Sequence, residues 1–197
     1  MGSHLNDGDI IIAGTDEAGR GPLAGPVVAA AAVLDAEQRR FLLGSGLRDS
    51  KKLSAKQREI LYDKICGCGV VWRAQACSAA VIDRINILQA SLWCMKRSVE
   101  KLPMVPYLVL VDGNRKIPGL TSAQRTVIGG DDIVPAISAA SVIAKVLRDR
   151  IMETMDRIYP QYQFKKHKGY PSALHKELIA RYGPSPIHRL SFRGVRE

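Results

Sequence analysis

Apolar and polar positions alternate between two periods along this chain. Residues 10–15 and 26–34 are short apolar runs separated by a glycine- and proline-punctuated stretch at 19–25, which predicts a strand, a tight loop and a second strand opening an antiparallel pair. Ser54 followed by Gln57 is a capping-box signal for a helix running to about residue 65, and residues 70–77 read as a third strand. Leu88, Leu92, Met95, Val99 and Leu102 recur at helical spacing, and Pro103 and Pro106 end that helix before an apolar strand over 107–111. A short strand near 125–128 runs into Gly129-Gly130-Asp131-Asp132, after which Pro135 opens a long helix through 149 and on towards 158. Residues 172–182 read as a further helix, and Pro184-Ser185-Pro186 breaks the chain before a basic end.

Strands mixed with helices, with no internal repeat or long linker, predict one α/β body. The expected organisation is a lead-in over 1–9, whose Met1-Gly2-Ser3-His4 reads as an expression scar, a main body over 10–158 and a small helical extension over 159–197. At 197 residues the chain can close a substantial core without disulfides or structural zinc. No apolar run reaches membrane-spanning length and no signal core opens the chain, so a cytoplasmic protein is expected, not a membrane one.

Charge narrows the partner class. Lys and Arg total 29 against 19 Asp and Glu, a formal charge of +10, which suits a polyanion but equally an anionic membrane or plain solubility. Cys66, Cys68, Cys77 and Cys94 lack zinc-knuckle spacing and read as reduced thiols.

The candidate chemistry is acidic. Asp16, Glu17, Asp112 and Asp131 each follow an apolar strand, so neighbouring strands would bring them to one sheet edge. Several converging carboxylates are what two divalent cations about 4 Å apart need for phosphoryl transfer. Asp112-Gly113 and Asp131-Asp132 are also ordinary turn formers, so the acidic residues could be strand-end turn chemistry, and from spacing alone Asp132 competes with Asp131. Gly19-Arg20-Gly21 lets backbone amides approach a ligand, although a lone Gly-x-Gly usually marks a turn. Ser138, Ser141 and Lys145 share one helix face that fits a phosphate or water equally well. Tyr170 reads as a stacking residue or a half-buried anchor; Arg48, Lys51 and Lys52 as phosphate contacts or solvated charge. His167, His175 and His188 lack ligand spacing and are expected at the surface or capping backbone.

These motifs together resemble the ribonuclease HII family. The resemblance spans nearly the whole chain and rests on Asp16-Glu17-Ala18-Gly19-Arg20-Gly21, Asp49-Ser50-Lys51-Lys52-Leu53, Val111-Asp112-Gly113 and Gly130-Asp131. It continues through 137–145, His167-Lys168-Gly169-Tyr170-Pro171 and His188-Arg189-Leu190-Ser191-Phe192. It implies an RNase H-like fold, a central mixed sheet flanked by helices with a C-terminal helical segment that binds substrate. It also implies Mg²⁺- or Mn²⁺-dependent cleavage of RNA in RNA·DNA hybrids at a two-metal site, down to a single ribonucleotide in duplex DNA, with a role in replication and repair.

By the same resemblance the metal ligands are Asp16, Glu17, Asp112 and Asp131, which settles Asp131 over Asp132. Gly19, Arg20 and Gly21 would read the ribose 2′-hydroxyl, Tyr170 would pack on the next deoxyribose, and Lys51, Ser141 and Lys145 would approach phosphates. A monomer is expected. Gly129 departs from the lysine the family often carries before Gly-Asp. The absence of a long N-terminal extension favours HII over HIII, and no sliding-clamp-binding peptide is evident. Two other classes fit the bare composition: a basic binding module, which would need no divalent cation, and a nuclease of DNA junctions, which would need no 2′-hydroxyl.

Overall fold

The computed structural model describes residues 10–47 and 53–196. The strands β1 (Ile12–Ala18), β2 (Val27–Val33), β3 (Val71–Cys77), β4 (Leu108–Asp112) and β5 (Ala123–Val127) form one sheet in the order β3-β2-β1-β4-β5. β2 is antiparallel to β1 and β3, whereas β4 is parallel to β1 and to β5. The sheet is mixed, as the RNase H-like expectation required.

Helices cover both faces. On one side α3 (Ala79–Ile85) and α4 (Ile87–Glu100) enclose a core with Ala13, Ala29, Ala31, Val109 and Val111. On the other, α1 (Ala36–Gly44), α2 (Ala55–Gly67) and the 24-residue α6 (Pro135–Ile158) bury Ala30 and Ala32 with Leu42, Leu61 and Ile143. β2 is buried along all seven residues, and its run of four alanines lets helices from both sides approach closely. β1 does the same at Gly14, where a Cβ would lie 2.3 Å from the backbone of Ala136 and Ile137. That contact seats the start of α6 on β1 and fixes which part of the helix overlies the strand's far end.

Sequence periodicity located every strand and the long helices, with two differences. First, β1 continues to Ala18 because it pairs with β2 through Ala18↔Val28; Asp16 and Glu17 lie within the strand, not beyond it. Second, besides the single helical turns at 130–133 and 164–167, α1 and α3 were not predicted. Both are short, capped by Asp35 and Ser78, and α1 carries a weakly apolar stripe, AEQRRFLLG, that periodicity does not separate from a loop.

Beyond α6 come a 3₁₀ turn (Pro160–Tyr162), α7 (Phe164–His167) and α8 (Ala173–Tyr182). Tyr162, Phe164 and Leu178 pack on Ala24 and Met152, and Leu23 packs with Ile179 and Val195. Backbone hydrogen bonds stitch the same contact: Leu23 N–H donates to Gly169 O, Gly25 N–H to Ile187 O and Arg189 N–H to Leu23 O, each at 2.8 Å. Among the described residues no helix is long and apolar enough to cross a membrane.

Candidate active site

The β1–β4 register pairs Thr15 with Val111, so one position further along Asp16 and Asp112 lie side by side on adjacent parallel strands. Asp16, Glu17, Asp112, Ala18, Gly19, Arg58, Ser141, Lys145 and Tyr170 line one cleft of about 360 Å³. Asp131 lies in the short helix α5 (Gly130–Ile133), fully buried and outside that lining. It is tied to the cluster through its neighbour, because Gly130 N–H donates to Asp112 Oδ1 at 2.8 Å. Ser138 Oγ donates to the Asp131 carbonyl, so that serine pins the turn and is buried, not part of a solvated face. Lys51 lies outside the described residues, as do Arg48 and Lys52.

Electrostatically the cluster is strained. Burial, then the charges of Glu17 and Asp112, hold the Asp16 carboxyl well above its ordinary value, against hydrogen bonds from Ser141 and from the Glu17 amide. Burial also raises Glu17, which Arg20 partly offsets through an ion pair at 3.3 Å. Among the described residues no three His, Cys, Asp or Glu side chains are drawn into a finished metal cage. What the chain supplies is hard oxygen donors crowded at one point and partly withdrawn from solvent. That donor set fits a divalent cation of the Mg²⁺ or Mn²⁺ type, whose charge would relieve the repulsion and favour the ionised carboxylates.

Across the cleft, Lys145 Nζ pairs with Asp149 at 2.6 Å and lies 5.9 Å from the centre of the Tyr170 ring. Burial lowers its pKa, with Asp149 opposing. Arg58 of α2 reaches the same carboxylate at 3.9 Å. Gly21 faces Tyr170, whose ring carbon Cε1 would stand 3.9 Å from a Cβ at that position.

Three groups of residues escaped the sequence reading. Arg58 and Asp149 carry no motif. Arg148 and Arg189 are fully buried, although arginine is ordinarily a surface residue. Arg148 donates to the carbonyls of Pro26, Ala24 and Lys168; Arg189 donates to those of Gly19, Arg20 and Gly25. A signal for Arg148 exists: Ala144, Arg148 and Met152 continue the buried i, i+4 stripe of α6.

The third group corrects an expectation. His175 and His188 are buried, not at the surface, and His167 stacks on His175 with ring centres 4.2 Å apart. Their hydrogen bonds define the tautomers. Ser185 N–H donates to His188 Nδ1, His188 Nε2–H to His175 Nε2 at 3.0 Å, and His175 Nδ1–H to the Tyr170 carbonyl at 2.9 Å. Each ring is neutral in this relay, and burial pushes both His175 and His188 down to about 4. The backbone-capping half of the expectation stands, since the relay and the Gly169 N–H bond to His167 Nδ1 fix the backbone around Tyr170.

A second groove, of about 450 Å³ between β3 and α6, is lined by Val28, Ala74, Leu147, Ile151 and Met155. It gathers no carboxylate or histidine and offers no comparable chemistry.

Residues 13–195 match the family described as Ribonuclease HII. A ribonuclease HII of Nitratidesulfovibrio vulgaris is 50% identical over 196 residues, covering 94% of this chain and 87% of that protein. One of Shewanella oneidensis is 48% identical over 202 residues, covering 98% and 95%. Among solved structures, the ribonuclease H2 of Pyrococcus horikoshii superposes with a TM-score of 0.82 at 30% identity, covering 94% of this chain and 95% of that one. A ribonuclease HIII crystallised with Mn²⁺ superposes at a TM-score of 0.77 and 19% identity, a likeness of fold.

Proposed function

The chain belongs to the ribonuclease HII family, and we propose how it carries out that family's activity, endonucleolytic hydrolysis of RNA in RNA·DNA hybrids. It cuts on the 5′ side of a ribonucleotide, including one embedded alone in duplex DNA, and leaves a 5′-phosphate and a 3′-hydroxyl. Its role is the removal of ribonucleotides in DNA replication and repair, in the cytoplasm and as a monomer.

Asp16, Glu17, Asp112 and Asp131 would hold two divalent cations, Mg²⁺ or Mn²⁺, which supply activation of the attacking water and charge neutralisation at the leaving oxygen. The chain's own groups do the rest. The amides of the Gly19-Arg20-Gly21 loop meet the 2′-hydroxyl, which is a recognition handle and not the nucleophile. Tyr170 packs on the neighbouring deoxyribose. Ser141 and Lys145, with Lys51, hold phosphates, and Asp149 keeps the Lys145 ammonium charged and oriented despite its burial. Residues 10–158 form the catalytic body and residues 159–197 the substrate-binding segment.

The observation that carries this reading is the single cleft in which Asp16, Glu17 and Asp112 face Gly19, Ser141, Lys145 and Tyr170. The test is a labelled DNA duplex with one ribonucleotide, incubated with Mg²⁺, Mn²⁺ or EDTA beside an all-DNA control. A metal-dependent nick 5′ of the ribonucleotide, absent from all-DNA, is expected. Cutting confined to longer RNA tracts overturns the single-ribonucleotide assignment, and binding without cutting in either metal overturns the catalytic one.

A further inference from the structure

Arg189 and Arg148 sit beneath the loop assigned above to the sugar, and both are fully buried. Burying a guanidinium is costly, and the ordinary compensation is a carboxylate. Here every hydrogen bond that either arginine makes goes to a backbone carbonyl. Arg189 Nη2 donates to Gly19 O at 2.6 Å, Nη1 to Arg20 O at 3.0 Å and Nε to Gly25 O at 3.0 Å. Arg148 takes the other flank through Pro26 O at 3.0 Å, Ala24 O at 3.2 Å and Lys168 O at 3.0 Å, and its guanidinium lies 5.7 Å from the Tyr170 ring centre. The approach is so close that a Cβ on Gly19, whose φ is +99°, would fall 2.1 Å from Arg148 Nε.

Which carbonyls are gripped matters. The Gly19 carbonyl shares its peptide plane with the Arg20 N–H, and the Arg20 carbonyl shares its plane with the Gly21 N–H. Every peptide here is trans, so each N–H points away from the guanidinium that holds its carbonyl. A charge-assisted bond at the oxygen both fixes the plane and polarises the amide, strengthening its N–H as a donor. Neither amide donates a hydrogen bond to any described residue, so both are available for a ligand.

We propose that Arg189 is a positioning residue for ribose recognition: by gripping the Gly19 and Arg20 carbonyls it aims and strengthens the Arg20 and Gly21 amides as donors to the 2′-hydroxyl, while Arg148 fixes the opposite flank. The proposal rests on the reading that this loop meets the 2′-hydroxyl. A merely structural role, satisfying buried carbonyls, would give a different result in the following test.

Binding of two duplexes is measured by fluorescence anisotropy in EDTA, with the full chain. One duplex carries a single ribonucleotide and the other its 2′-deoxy-2′-fluoro counterpart, which keeps shape and loses the donor and most of the acceptor strength. Arg189→Lys retains the charge but cannot span three carbonyls. The wild type prefers the ribonucleotide, and in Arg189→Lys that preference shrinks by about tenfold or to unity, the scale of one charge-assisted hydrogen bond. Equal weakening towards both duplexes, or an unchanged preference, overturns the proposal. Should Arg189→Lys not fold, the wild type decides it by NMR. The Arg189 guanidinium N–H resonances shift together with the Arg20 and Gly21 amides on adding the ribonucleotide duplex and not the fluoro duplex; amides that respond while the guanidinium resonances stay unchanged overturn it. A wild type that does not separate the two duplexes at all overturns the functional reading instead.

Discussion

Two regions meet at the cleft and solve opposite electrostatic problems. Around the glycine loop, buried cations and neutral imidazoles face backbone carbonyls, and all but one of their polar atoms find partners within the chain; Arg148 Nη1 is the exception. Around Asp16, a buried carboxylate faces the half-buried Glu17 and Asp112, and the repulsion is left standing. The first region is finished as folded, which suits recognition, because a preorganised donor array loses little on binding. The second holds its charge in reserve for a counter-ion, which suits chemistry. On the proposed reading, stability and function therefore run together in the loop and against each other in the carboxylates.

The contrast is most exposed by Asp16→Asn. Turnover with Mg²⁺ should fall by roughly 10³-fold or more, while the metal-free melting temperature rises, because a buried repulsive charge is removed. Steady-state kinetics and calorimetry in EDTA read the two signs; a variant that is both slower and less stable would contradict the account. Asp112→Asn should likewise abolish turnover while leaving hybrid binding partly intact, measured by gel shift.

Next in size is Arg148→Met. Stripping the donors from Ala24, Pro26 and Lys168 should cost about 3 kcal/mol, read from the denaturant midpoint, with no compensating gain. The sign is opposite to that of Asp16→Asn.

Acid separates the regions a third way. His175 and His188 have folded values near 4 against 6.5 in the unfolded chain, so the stability they contribute is complete above pH 6.5 and is lost as pH falls towards 4. The raised carboxyls contribute in the other direction, adding stability as they protonate. Metal-free melting temperature should fall by roughly 5–10 °C over that window, and more steeply in Asp16→Asn, where part of the opposing contribution is gone. A flat profile in both proteins would exclude the neutral relay. The smallest effect is that of Arg20→Ala. Its ion pair with Glu17 is half exposed, so folding stability should stay within about 0.5 kcal/mol by denaturation, since the loop is held through its carbonyls and not through this side chain.

The carboxylates were legible because they follow or end apolar runs, and the sheet order then brings Asp16 and Asp112 together. Their setting was less so. Pairing with β2 continues β1 past Asp16, which a local pattern cannot register. Asp131 was chosen over Asp132 by resemblance, and the structure buries the first and exposes the second. The grip of the buried arginines and histidines on the loop backbone was less legible still, with only the buried stripe of α6 to mark Arg148 and no role to be read for Arg189 from its motif. Arg189 and the histidines contribute through partners more than a hundred positions away or through ring-to-ring contacts, and side chains normally found in water give no periodic signal of burial.

The long reach of Arg189 also sets an order of events during synthesis. Gly19 and Arg189 are 170 positions apart, whereas the four carboxylates are complete once Asp131 has been made. On a ribosome emitting residues from the N-terminus, all four carboxylates emerge well before the arginine that grips the Gly19 and Arg20 carbonyls. If the loop reads the sugar as proposed, discrimination is the last property the growing polypeptide acquires, and a chain stopped short of residue 189 would carry its carboxylates without the grip on the Gly19 and Arg20 carbonyls.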